Sequence, residues 1–107
     1  MKIEKSNVVK LLITDVTRHD PIHVYLEDYG DGRGRITISE YSESWTSFWP
    51  AMSCSLSDFI LKADNEYIIN YLDGTLKMRS QKYKRMDSRL NAVKEALRRL
   101  HEHPLES

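Results

Sequence analysis

Four histidines, one cysteine and two runs of charge are the residues of this chain with chemistry to offer. His19 and His23 flank Pro21, while His101 and His103 bracket Glu102 near the C-terminus. Two imidazoles and a carboxylate at a chain end make a thin metal site, because structural zinc takes four ligands. His101, once protonated, is better placed to complement the dipole at a helix C-terminus. Cys54 follows Trp45, Phe48 and Trp49, a setting in which a thiol behaves as a small buried hydrophobe and not as a nucleophile. As the lone cysteine it also excludes an internal disulfide and a multi-cysteine zinc site. Glu27 and Asp28 point to opposite faces of a regular strand and cannot share a proton. Gly30, Gly32 and Gly34 lack the GxGxxG and P-loop spacings, and no helix follows them to cradle a phosphate. The expectation is a protein that is not an enzyme and that uses neither cofactor nor metal.

Binding chemistry remains, and the charges are unevenly placed for it. Lys and Arg number 16, as do Asp and Glu, yet residues 1–73 carry a balance of −5 and residues 74–107 a balance of +5. Such asymmetry bears on partners and association, not on fold. Tyr25, Glu27, Asp28, Tyr29, Asp31 and Tyr41 are the candidates for a protein-binding surface, since tyrosine is enriched in interface hot spots. Lys77, Arg79, Lys82, Lys84, Arg85 and Arg89 crowd into thirteen residues with Asp87 as the only acid. With Tyr83 among them they are the candidates for contact with a phosphate backbone. The plainer reading is a solvated helix face. No helix-turn-helix, zinc-finger or RNA-motif pattern accompanies the cations, so nothing supports sequence-specific recognition.

The elements that must position these residues follow from periodicity. Residues 8–16, VVKLLITDV, are β-branched and nearly continuously apolar, which predicts a strand. Residues 22–29 and 35–41 alternate, with Ile22, Val24, Leu26, Ile36 and Ile38 facing inward, and GDGRG between them predicts a hairpin turn. Trp45, Phe48, Trp49 and Met52 fall at i, i+3, i+4 and i+7, which predicts a short helix over 43–49 closing the core before Pro50. Further helices are expected over 56–63 and 65–73, with Gly74 as the stop. Tyr83, Met86, Leu90, Val93, Leu97 and Leu100 step by three and four, predicting a long helix over 76–102 that ends before Pro104. The fold class expected is α+β: a three-stranded antiparallel sheet followed by short helices and one long helix. The 83–100 seam either covers the sheet or pairs with a second copy in a homodimer.

Length and composition set the outer bounds. A chain of 107 residues is one domain, 1–107, and 30% charged with 40% hydrophobic residues is globular and not disordered. No apolar run approaches the ~20 residues that span a bilayer, and the first ten residues lack a signal-peptide core. No membrane association is expected, and the location expected is cytoplasmic.

The stretch from Ile22 to Leu72 (IHVYLEDYGDGRGRITISEYSESWTSFWPAMSC, then DFILKADNEYIINYL) resembles a family of small bacteriophage and prophage accessory proteins of enteric bacteria. The likeness covers about residues 8–72, is most specific over Trp45 to Met52, and leaves the basic helix outside it. The family pattern often has a glycine near the Trp–Met segment where this chain has Pro50 and Ser53. The resemblance implies a phage accessory protein of a family with no settled activity. Together with the lack of an enzyme signature, that setting leads to the expectation of a non-enzymatic protein, acting in the host cell cytoplasm, that binds and modulates a host or phage macromolecule. Host defence nucleases and CRISPR effectors are the examples, with nucleic-acid binding by the basic helix as the alternative. It supplies no catalytic residues.

Overall fold

In a computed structural model, which describes residues 1–6 and 8–103, the chain is a four-stranded antiparallel meander with three helices on one face of the sheet. Strands β1 (Val9–Ile13), β2 (Ile22–Gly30), β3 (Arg33–Glu40) and β4 (Glu43–Trp49) lie side by side in chain order. Helices α1 (Leu56–Lys62), α2 (Asn65–Leu72) and α3 (Gln81–Glu102) follow. The alternation of apolar residues dictates the inner face. Ile22, Val24 and Leu26 of β2 and Ile36 and Ile38 of β3 meet Ile60, Ile68, Ile69, Met86, Leu90, Val93 and Leu97 from the helices. Burying each such side chain is worth about 1.5–3 kcal/mol, so this layer is the main source of stability.

The segment 43–49 is a strand and not the expected helix, which makes the sheet four-stranded where three strands were expected. Trp45 pairs with Ile38 and Trp49 with Gly34, so Trp45, Ser47 and Trp49 point inward while Thr46 and Phe48 point out. The helical spacing of the large residues arose because a serine holds an inward position and a phenylalanine an outward one. Strand pairing across a two-residue turn then outweighed the apparent period. That turn carries Tyr41 at φ 57 in place of the glycine or asparagine that usually marks it.

Two further boundaries moved. The first strand is shorter than 8–16, since Thr14 onward forms the connection to β2, with Asp15 at φ 60 and Arg18 at φ 68. Helix α3 begins at Gln81, not 76, because the Ser80 side chain accepts the Tyr83 N–H as an N-cap. Its apolar seam is spent within the chain, where Met86, Leu90, Val93 and Leu97 are buried against the sheet.

Glycines hold the β2–β3 turn against the rest of the domain. Gly32 sits at φ +74, and a Cβ there would lie 3.0 Å from the backbone nitrogen of Ser53. Its carbonyl accepts the Met52 N–H at 2.7 Å. The turn is thereby stitched to the segment leaving β4.

Candidate functional site

Two regions concentrate functional groups: a buried carboxylate under α3 and the uncovered face of the sheet. The buried one grows out of strand parity. Glu40 follows Ile36 and Ile38 on the inward face of β3, so the strand drives a carboxylate into the core. Its side chain is 3% exposed and fully engaged. Oε1 accepts from Arg89 Nε at 2.7 Å and from His19 Nδ1 at 2.8 Å. Oε2 accepts from Arg85 Nη2 at 2.7 Å and from the Asp20 N–H at 3.2 Å. Burial pushes the Glu40 carboxyl up, but hydrogen bonds from Arg89 and His19, the Arg89 charge and the Asp20 N–H outweigh it and bring its pKa down to about 2. Arg89 also lies 4.3 Å above the Trp45 ring, a cation–π contact that covers its flat face.

His19 continues outward, its Nε2 lying 2.9 Å from Ser88 Oγ. Hydroxyl, imidazole and carboxylate therefore stand in the order of a nucleophilic triad. Two features steer that arrangement toward structure. Glu40 is bound by two guanidiniums, and Ser88 lies mid-helix, where neighbouring N–H groups are committed to carbonyls four residues back. Acyl transfer needs free donors aimed at a developing oxyanion. What these contacts do is clamp: the Arg18 carbonyl accepts from Arg85 Nη1, so the β1–β2 loop, β3 and α3 are tied at one point.

The uncovered sheet face carries the second region. Its outward residues form a band across all four strands: Lys10 lies 5.6 Å from the Tyr25 ring centroid, and Glu27 stands opposite Arg35. Arg35 lies 5.8 Å from the Phe48 ring, which meets the Tyr29 ring at 6.1 Å. Phe48 and Tyr29 are exposed, and Tyr25 is half-buried.

Of the protein-binding candidates, the band thus unites Tyr25, Glu27 and Tyr29. Asp28 turns the other way, accepting the Gly30 N–H and the Leu56 N–H at 2.9 Å each, so it caps the start of α1. Those two hydrogen bonds hold its carboxyl below the usual carboxylate range. Asp31 lies in the β2–β3 turn and Tyr41 in the turn at the far end of β3. The acidic residues therefore do not form a single patch.

The basic candidates divide. Arg89 is buried and Arg85 half-exposed in the Glu40 cluster, whereas Lys77, Arg79, Lys82 and Lys84 are exposed around the start of α3. His101 and His103 are exposed at the end of α3, and among the described residues no group of three or more His, Cys, Asp or Glu is placed to hold a metal ion.

Residues 1–103 match the phage family Phage_phiTE_072. The chain belongs to that phage family. The match extends past the 8–72 likeness and takes in α3, so the helix lies within the region this chain shares with the family. No curated protein matches the chain, and no solved structure does. Among the described residues of this phage protein, no helix is long and apolar enough to cross a membrane.

Sequence reasoning missed the Glu40 cluster, whose members are 21, 45 and 49 residues apart. One signal was present: Glu40 is in phase with Ile36 and Ile38, and a charge at an inward position demands a partner. A second aromatic group also escaped it. Tyr67 and Tyr71, one turn apart on α2 with centroids 4.8 Å from each other, are exposed beside buried Trp49.

Proposed function

We propose that this phage protein is a non-enzymatic binding module that docks a host or phage protein on the uncovered face of its sheet. The observation that carries this reading is the band of Tyr25, Phe48 and Tyr29, flanked by Lys10, Glu27 and Arg35, on a face that no helix covers. Aromatic and arginine side chains dominate interface hot spots because they bury much area at low entropic cost. Two cations and one anion give the band almost no net charge, which favours a protein over a polyphosphate. In a phage setting, host defence nucleases and CRISPR effectors are the partners to assay first, each by loss of its cleavage activity on adding the protein in the cytoplasmic compartment where such effectors act.

The test compares partners co-purifying from infected cells with the full chain, with Tyr25→Ala/Phe48→Ala and with Tyr67→Ala as a control on the helical side. The expected result is a specific partner lost in the double variant and retained in the control, with unchanged thermal unfolding in both. Retention by the double variant overturns the choice of face.

A second reading rests on the four exposed cations at the start of α3. If Lys77, Arg79, Lys82 and Lys84 contact phosphates, affinity for random DNA falls with salt at a slope of about −3 to −4. Lys82→Ala/Lys84→Ala flattens that slope by about 2. Absence of binding at low salt removes this reading.

A further inference from the structure

We infer that the free edge of β1 pairs with β1 of a second copy of this chain, joining two four-stranded sheets into one of eight. The two sheet edges are built differently. Edge strand β4 reads Glu43, Ser44, Trp45, Thr46, Ser47, Phe48, Trp49, is polar for most of its length, and ends at Pro50 with α2 packed beside it. Such features blunt an edge against association. Edge strand β1 is less protected: Lys10 is its one charge, and the other four residues are apolar. Val9 and Leu12 are 57% and 56% exposed, and Val8 just before the strand is exposed too. Beside this edge an apolar groove runs between β1 and the second half of α3, with Leu11 and Ile13 on one wall and Ala92, Ala96 and Leu100 on the other. An unpaired strand edge over an apolar floor invites another strand.

The strand's own pattern identifies the occupant. Residues directly opposite in an antiparallel pair share a face, so a symmetric pair must be centred on a residue and not between two. Centring on Lys10 sets two ammonium groups opposite each other, and centring on Leu12 leaves Val9 without a partner. Centring on Leu11 pairs all five residues: Val9 with Ile13, Lys10 with Leu12, and Leu11 with itself. The inward positions Val9, Leu11 and Ile13, already in register with Leu26, Val24 and Ile22, then make one continuous apolar row through both copies. The charged residues along the groove are of both signs, Lys10 and Asp15 on the strand side and Glu95, Arg99 and His103 on the helical side, with Glu95 and Arg99 paired at 3.0 Å. A second copy bringing the same mixed set in reversed order therefore meets no large excess of like charge. An acidic or basic peptide would meet a rim of mixed sign.

The test reads mass and register with the full chain. Sedimentation equilibrium over a hundredfold dilution series is expected to show a species of about 25 kDa, twice the 12.6 kDa chain. Val9→Lys places an ammonium opposite Ile13 in each half of the interface; the expected result is a folded monomer, since Val9 is 57% exposed in the single chain, whose thermal unfolding no longer depends on concentration as that of the wild-type dimer does. Register is read by cysteine cross-linking in a Cys54→Ser background. Lys10→Cys mixed with Leu12→Cys brings Cα atoms to about 4.5–5.5 Å, inside disulfide reach. Either variant alone leaves the cysteines about 8 Å apart, two residues out of register and beyond that reach. Cross-linked dimer from the mixture and not from either variant alone supports the pairing. A wild-type monomer at every concentration, a dimeric Val9→Lys chain, or a mixture that fails to cross-link overturns it.

Discussion

Replacing Glu40 by glutamine tests whether the buried cluster is a clamp. Glutamine keeps the volume but offers one acceptor oxygen where the carboxylate fills four hydrogen bonds, and its NH2 must face a donor. Arg89, whose side chain is 5% exposed, is left with an uncompensated charge. Removing one member of a buried ion pair costs about 3–5 kcal/mol, a large share of the stability of a domain this size. The pH dependence gives a second, independent magnitude. Glu40 has a folded pKa of about 2 against an ordinary 4.5. A carboxyl depressed by folding contributes stability that is complete above its unfolded pKa and is lost as pH falls toward its folded pKa. The difference in pKa corresponds to about 3 kcal/mol at neutral pH. Urea unfolding of wild type and Glu40→Gln from pH 7 to pH 2.5 is the assay, and the quantity read is the gap between them. It is expected to be several kcal/mol at pH 7 and to close between pH 4.5 and 2. A gap below about 1 kcal/mol at pH 7, or one that does not change with pH, refutes the clamp.

Other substitutions probe separate joints. Arg89→Met is expected to cost about 3 kcal/mol or more, while Arg85→Met, at a side chain 46% exposed, costs about 1 kcal/mol or less; equal losses in thermal unfolding would contradict the division between buried and rim cations. Asp28→Ala removes the acceptor for Leu56 and Gly30 and is expected to lower stability by about 1 kcal/mol without changing partner capture, read by urea unfolding alongside co-purification. Gly34→Ala would push a methyl to 3.0 Å from Met52 Cε and 3.2 Å from the Glu27 carbonyl. The expected cost is about 1–3 kcal/mol by thermal unfolding, because the Glu27 carbonyl is backbone and cannot yield as the methionine can.

Much of the fold was legible because its signals are local. The β2–β3 hairpin was marked by alternation and three glycines, and α1 and α2 by caps and spacing, within a residue or two of their observed ends. Strand β4 was hidden by Ser47 on the inward side and Phe48 on the outward side, and by a turn at Tyr41 that carries no glycine. The band on the open face was half legible: the outward tyrosines of β2 were visible, but Phe48 could join them only once 43–49 was a strand. Least legible was the Glu40 cluster. Its parts come from a loop, a strand and a helix far apart in sequence, and only tertiary packing brings them together.

That separation bears on the order of folding. A meander makes its contacts between neighbours in sequence, so the hairpins can form while the C-terminal part of the chain is still being synthesised. Until α3 arrives, Glu40 sits on an apolar surface open to water, and its charge is an obstacle to covering that surface with anything else. Helix α3 brings apolar cover and both counter-charges in one step. A nascent chain halted before Arg85 would have to bury a carboxylate held only by His19 and the Asp20 N–H, without either guanidinium, and a misaligned helix would do the same. The buried acid thus acts as a proofreader of assembly: it makes wrong or premature collapse costly and leaves the correct docking of the last helix as the favourable way to finish.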